Sequence, residues 1–286
     1  MTRRRSVYLA AAIPLFLLGL MWSFLTPSHD RMWAIDQSVL PFVEFDGDNA
    51  HIHGVRNFRR TSASDFTPGW EDRSYDLRQV ATAWYVLVPF SRRWRGPAHA
   101  FVTFGFDDGR YLAISVEARR ETGETYGAIK GLLRRFELIY VVGDERDLIG
   151  RRAVYDGSDV YLYPIRASRE AVRRVFRGML ERSDRLHATP EFYHTITNNC
   201  TLNLVHHVNQ LVPDRIPSSW RITLPGYSDE VIHRLGLIDS TGTLAEVRAR
   251  FRINERAKAA LDAPDFSARI RAGEPSTASS GGPLPQ

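Results

Sequence analysis

The only cysteine of the 286-residue chain lies in the stretch "YHTITNNCTLNLVHHVNQ", and a lone cysteine cannot form an internal disulfide. Cys200 is therefore either a small buried hydrophobic residue or a reactive thiol, and this stretch alone favours neither. Asn199 is a favoured N-cap residue, which predicts that Cys200 occupies the first turn of a helix. The backbone N–H groups and the dipole of that turn predict a lowered thiol pKa and a nucleophile. Asn198 and Asn199, with the backbone N–H of Cys200, are the predicted oxyanion and supporting groups.

A thiol nucleophile needs a base, and the chain contains nine histidines. Two of them follow on the Cys200 helix, but they lie about 9–10 Å away along its axis, too far for a hydrogen bond. His51 and His53 share one face of a predicted strand, but no third ligand is visible in the sequence, so no metal is predicted. His99 opens an alternating apolar strand after the break "RGPA" and can reach the edge of a cleft. It is the predicted general base.

The strongest hairpin signal is the turn "DDG" between the alternating runs "HAFVTFGF" and "RYLAISVEAR". A three-residue loop that closes this turn places Glu117 opposite His99, where a carboxylate can orient an imidazole. A register slip by one residue turns Glu117 away, and Ser115 is then the next candidate. In the alternative interpretation, Glu117 is an exposed charge on the polar side of the hairpin.

The chain begins with "TRRRS", followed by 19 residues without a charge at positions 7–25. As a helix they span about 28 Å, close to the thickness of the hydrocarbon core of a bilayer. The arginines predict that the N-terminus stays in the cytoplasm and that the rest of the chain faces the periplasm. The alternative is a cleaved signal peptide, but the apolar run is long and no A-x-A site follows. We therefore predict a single-pass anchor in the inner membrane within residues 1–29.

Behind the anchor, antiparallel-looking strands precede most of the helices, which predicts one α+β domain with an antiparallel sheet over residues 30–255. Residues 256–286 are rich in Pro, Gly and Ser and are predicted to be a disordered tail. The predicted strands are 51–59, 80–90, 99–106, 110–119, 137–144 and 159–166, and the predicted helices are 127–136, 168–188, 200–212, 228–236 and 243–252.

The net charge of +5 does not indicate nucleic-acid binding. Three of these charges come from the N-terminal arginines, so only +2 remains for residues 30–286. No dense basic stripe and no nucleic-acid motif accompany them. The sequence predicts no cofactor and no nucleic-acid partner.

Three separated segments together resemble the bacterial family of the Lnb N-terminal periplasmic domain, over roughly residues 33–255. They are "GPAHAFVTFGFDDGRYLAISVEARRETGETY", "LRRFELIYVVGDERDLI" and "PEFYHTITNNCTLNLVHHVN". The resemblance implies a circularly permuted papain-like fold, similar to the NlpC/P60 and lecithin–retinol acyltransferase group. In that group the histidine strand precedes the cysteine helix, as His99 precedes Cys200. Family members often carry several transmembrane helices, whereas this sequence predicts one.

The resemblance also implies a function, namely acyl transfer from a phospholipid to the amino terminus of a lipoprotein. The expected partners are therefore membrane lipid and a lipoprotein substrate, and the expected intermediate is an acyl-thioester on Cys200. Two alternatives remain at this stage. The same residues suit a cell-wall peptidase or amidase of the NlpC/P60 type. In a non-catalytic anchored binding module, Cys200 would be structural.

Overall fold

The structure is a computed structural model that describes residues 25–273. The predicted anchor therefore lies, except for its last residue, outside the described residues, as does the end of the predicted tail. Within residues 25–273, no helix combines the length and the apolarity needed to cross a bilayer.

The described chain contains ten strands and eight α-helices, with one π-helix at Arg146–Tyr155. The strands are β1 Phe42–Asp46, β2 Asn49–Arg56, β3 Arg59–Arg60, β4 Phe66–Thr67, β5 Trp70–Asp76, β6 Val80–Pro89, β7 Ala98–Phe106, β8 Tyr111–Arg119, β9 Glu137–Gly143 and β10 Tyr161–Pro164. The helices are α1 Ala128–Leu132, α2 Arg169–Ala188, α3 Cys200–Leu211, α4 Trp220–Thr223, α5 Ser228–Arg234, α6 Leu244–Phe251, α7 Asn254–Ala260 and α8 Phe266–Arg269.

Eight strands form one sheet in the order β1-β2-β9-β8-β7-β6-β10, with β5 paired to β2. The α+β class is confirmed. The expectation of an antiparallel sheet is wrong at one place, because β2 and β9 pair in parallel through Arg56 and Gly143. A parallel pair requires a long crossover, and the 80 residues between β2 and β9 supply it.

Helices cover both faces of the sheet, so the central strands are apolar on both sides. In β6, Tyr85 and Leu87 join the core beneath α2 and α3. Their neighbours Trp84 and Val86 join a second core beneath the π-helix, α7 and α8. Two buried faces explain why β6 reads as a nearly continuous apolar run instead of an alternating one.

The hairpin of β7 and β8 has the predicted register. Val102 pairs with Ile114, and Gly105 pairs with Tyr111. The Phe106 N–H donates to Arg110 O at 3.0 Å, which closes the three-residue loop. The ladder ends at Val102–Ile114, so the outer parts of both strands are not paired to each other.

Helix caps follow the sequence closely, because capping depends on residues that are adjacent in the chain. The Ser168 side chain accepts from Ala171 N at the start of α2, and the Asn199 side chain accepts from Leu202 N at the start of α3. Thr243 and Glu246 form a capping box at α6. These contacts place Cys200 at the first residue of α3, as predicted.

The prediction of a disordered tail is wrong for residues 256–273. These residues include most of α7 and all of α8, and Phe266 and Ile270 are buried in the second core. Arg271 forms a buried ion pair with Glu145. The Pro, Gly and Ser that suggested disorder are concentrated beyond residue 273. The prediction used the composition of the whole tail, so the apolar residues before position 273 received too little weight.

Candidate active site

Cys200 is 3% exposed, and its Sγ atom lies 3.7 Å from Thr201 Oγ1. Burial raises the pKa of the thiol, although hydrogen bonds with the Ala100 backbone of β7, the Thr201 hydroxyl and the backbone at the helix start act in the opposite direction. The predicted lowering of this pKa is therefore wrong in its net direction. Two or three peptide dipoles do not compensate for the loss of water around a thiolate.

His99 lies at the start of β7 and bonds to Ser115 of β8. The distance from His99 Nε2 to Ser115 Oγ is 2.7 Å, and Ser115 Oγ donates to Glu117 Oε1 at 2.8 Å. Glu117 Oε1 itself lies 3.7 Å from His99 Nε2. The group in direct contact with the imidazole is thus Ser115, and Glu117 acts through the serine hydroxyl.

This chain of contacts selects the tautomer of His99. A serine hydroxyl has one hydrogen, and an ionised carboxylate can only accept. The Ser115 hydrogen is therefore committed to Glu117, and Ser115 Oγ must accept from His99 Nε2–H. The lone pair of the imidazole then resides on Nδ1, which makes no hydrogen bond with any residue in the described range. His99 is arranged to take a proton at Nδ1.

The Glu117 carboxylate is held by two further groups. Arg152 Nη2 donates to Oε1 at 2.8 Å, and Gln37 Nε2 donates to Oε2 at 2.9 Å. Burial by itself raises the pKa of the Glu117 carboxyl, but Arg152, His99 and Arg56 together hold it well below its usual range. Glu117 is therefore ionised throughout the physiological pH range.

Burial lowers the pKa of His99 to about 3, and the Arg152 guanidinium contributes in the same direction. Glu117 opposes this effect without overcoming it. His99 is consequently neutral at physiological pH, as a general base must be before it takes a proton.

Cys200 and His99 line one cavity of about 240 Å³. Cys200 belongs to the core beneath α2 and α3, together with Ala98 and Ala100 of β7, whereas the His99 ring stacks against Phe101 at the opposite face. The cavity includes residues of both faces, from the outer ends of β7 and β8 where the two strands are not paired. No hydrogen bond joins Cys200 Sγ to His99 in the part of the chain that the structure describes.

The two predicted supporting asparagines make structural contacts. Asn199 caps α3 and donates to Thr195 O, and Asn198 donates to Phe192 O at 2.9 Å. Asn198 also accepts from Asn203 at 2.9 Å. These contacts hold the turn before Cys200. An oxyanion role for either side chain stays a prediction.

The cavity residues that sequence reasoning missed include Gln37, Tyr126, Arg152 and Tyr193. Gln37 and Arg152 are 80 and 35 residues from Glu117 in the chain. Arg152 belongs to the π-helix. Such helices are rare in proteins, and those that occur are often found at functional sites. No local pattern in the sequence marks it.

A first prediction tests the state of His99. Between pH 5 and 8, its imidazole should remain the neutral Nε2–H tautomer, because a lowered pKa leaves the neutral form intact until the pH falls toward about 3. Ser115→Ala removes the acceptor at Nε2 and should give a mixture of tautomers. Nitrogen-15 NMR of the imidazole measures both states. A His99 signal that titrates near the ordinary value of about 6.5 would contradict the assignment.

The fold and the site define an α+β domain that presents a cysteine at a helix start and a histidine on a strand to one cavity. The chain belongs to the Lnb N-terminal periplasmic domain family, whose profile matches residues 66–226, more than half of the sequence. It therefore carries a periplasmic domain. No protein of curated function and no solved structure matches the chain.

Proposed function

We propose that this domain is a thiol acyltransferase or hydrolase in which Cys200 is the nucleophile and His99 the general base. The observation that carries the proposal is the shared cavity of Cys200 and His99, with the Nε2 side of the imidazole occupied by Ser115. Nδ1 is then the nitrogen available to a thiol. A permuted papain-like arrangement, with the histidine strand before the cysteine helix, belongs to the same proposal.

The pKa shifts support a resting pair in which both groups are neutral. Burial raises the pKa of Cys200 and lowers that of His99, so a preformed thiolate–imidazolium pair is disfavoured. Proton transfer from Cys200 Sγ to His99 Nδ1 then accompanies the attack on the acyl carbonyl carbon. Substrate binding has to bring these two atoms within hydrogen-bond reach, since no hydrogen bond joins them in the described structure.

The reaction has two half-reactions. In the first, Sγ bonds to the carbonyl carbon, the ester bond breaks, and His99 returns its proton to the leaving alcohol. In the second, an amine or water attacks the thioester, His99 Nδ1 takes the proton, and the thiol leaves protonated. The backbone N–H of Cys200 is the proposed oxyanion donor, and such a donor contributes about 3 kcal/mol when it is well aimed.

A second cavity favours a lipid acyl donor over a cell-wall peptide. It has a volume of about 140 Å³, and its surface is almost entirely apolar. The lining residues come mainly from β6, β7, α2, α3, the segment that follows α3, α4 and α5. Thr201, the neighbour of Cys200, lines it, and Leu204, Val205 and Val208 continue along α3. An apolar space beside the nucleophile suits an alkyl chain. A peptide backbone would need polar partners there.

The location proposed for the site follows from the N-terminal sequence. Residues 7–25 would anchor the chain in the inner membrane as a single pass, with the domain at its periplasmic surface. A phospholipid donor would then be within reach, and a lipoprotein amine or water would be the acceptor.

The decisive experiment incubates the full-length protein with phospholipid vesicles of defined acyl chains and then measures the mass of the peptide that contains Cys200. We expect the mass of this peptide to increase by that of one acyl group. Val208→Trp fills the apolar cavity and should lower formation of the long-chain adduct about tenfold, while a short-chain soluble ester still reacts. Ile129→Trp, at a residue that is 73% exposed on α1, is the matched control and should leave both adducts unchanged.

The alternatives give other results in the same assay. Cleavage of a cell-wall peptide without any lipid adduct would replace the acyltransferase with a peptidase or amidase. No adduct from either substrate would indicate a binding module with a structural cysteine.

A further inference from the structure

Two histidines lie side by side on β2, away from the site described above. His51 and His53 are two residues apart on one strand, so their side chains leave the same face of the sheet. Their rings meet edge to face with centroids 4.4 Å apart. The sequence alone offers no third ligand, but pairing of β5 with β2 brings Asp72 beside them. His51, His53 and Asp72 each offer a ligand atom within 4.8 Å of the others.

A β-bulge aims Asp72 at the histidines. The pairing of β2 with β5 shifts between Ile52 and Val55, and Gly54 in that shift has a φ of +76°. The Gly54 N–H donates to Asp72 Oδ1 at 3.1 Å. Bulges of this kind redirect a side chain that a regular ladder would place elsewhere. The position of Asp72 is therefore set by the backbone.

The polar surroundings resemble those of metal-binding histidines. His51 Nδ1 lies 2.7 Å from Ser74 Oγ, and His53 Nδ1 lies 2.8 Å from Asp72 Oδ2. The Ser74 contact leaves His51 Nε2 for an ion, and an ion between His53 Nδ1 and Asp72 would take the place of their hydrogen bond. His53 Nε2 is buried without a hydrogen-bond partner, and Glu44 Oε1 lies 3.8 Å from it. With the ion at His53 Nδ1, Nε2 carries the hydrogen and faces the Glu44 carboxylate, the kind of outer contact that orients a metal-bound imidazole.

We propose that His51, His53 and Asp72 bind a divalent transition-metal ion of the Zn²⁺ class. Two imidazoles and a carboxylate form a ligand set that suits this class, with water in the fourth position. The half-buried or exposed side chains can close around the ion by small rotamer changes. The ion would join β2 to β5, the strand that lies off the main sheet path. The site is separate from the Cys200–His99 cavity and does not depend on the proposed function.

Metal titration of the full-length protein, without an affinity tag and after treatment with a chelator, tests the proposal. Co²⁺ should bind at one equivalent with visible d–d absorption, Zn²⁺ should displace it, and the thermal midpoint should rise with Zn²⁺ concentration. His53→Ala should lower the affinity at least about 100-fold. Asp72→Asn, at an exposed residue whose replacement leaves the core intact, should lower it as well. His206→Ala, at an exposed histidine on α3, is the control and should bind like the wild type.

Two results would overturn the proposal. One is the absence of saturable binding to the wild type. The other is binding that persists in both His53→Ala and Asp72→Asn, which would indicate adventitious binding to surface histidines. Circular dichroism of each variant separates the loss of ligands from the loss of fold.

Discussion

Cys200→Ser should lower acyl transfer or hydrolysis at least about 10³-fold while the domain stays folded. A serine hydroxyl is a far weaker nucleophile than a thiol beside the same imidazole. The side chain keeps nearly the same size at a buried position, so we expect the free energy of unfolding to change by about 1 kcal/mol. Turnover with a phospholipid or a short-chain ester, together with chemical denaturation, measures the two quantities.

Controls separate a nucleophile from a packing residue. His99→Ala should lower turnover by a similar factor, because the base and the nucleophile act as a unit. His206→Ala, on the same helix but exposed, should retain wild-type turnover. Formation of the acyl adduct on Cys200 distinguishes the two roles, whereas alkylation by an added reagent does not. Burial raises the pKa of the Cys200 thiol, so alkylation is slow whether the residue is a nucleophile or a packing residue. Turnover of Cys200→Ser within about tenfold of wild type would remove Cys200 from the mechanism.

Glu117→Ala should lower the free energy of unfolding by about 3–5 kcal/mol. The substitution leaves the buried Arg152 guanidinium without its carboxylate, and it also removes the acceptor of Ser115 Oγ–H and Gln37. The loss of one partner from a buried ion pair costs far more than the loss of an exposed pair. Urea denaturation at neutral pH measures the change.

The pH dependence of this contribution has a definite sign. The folded pKa of Glu117 lies below the unfolded value, so its stabilisation is fully present above about pH 4.3 and decreases as the pH falls toward the folded pKa. The matched control is Glu181→Ala, which breaks the exposed pair with Arg177 and should cost about 0.3–0.5 kcal/mol. Equal costs for the two variants at neutral pH would show that Glu117 is not a buried structural charge.

Local features of the fold were predictable from the sequence. The alternation around "DDG" predicted the β7–β8 register, and that register pairs Val102 with Ile114. Asn199 predicted the start of α3, since a cap depends on groups within one helical turn. The strand β5 was missed because Tyr75 is its only buried residue, so its sequence carries little apolar pattern.

The sequence by itself determined the α+β class, the hairpin register, the family, and the positions of Cys200 at a helix start and His99 on a strand. These depend on periodicity, caps and turns, which act between residues close together in the chain. Only the tertiary structure decided which distant groups meet these residues. Arg152 and Gln37 reach Glu117 across the fold, and Asp72 reaches His53 through a bulge between two strands. The same packing removes water from Cys200, which raises a pKa that the helix start alone would lower. Burial and long-range contacts are properties of the packed chain, and no local pattern encodes them.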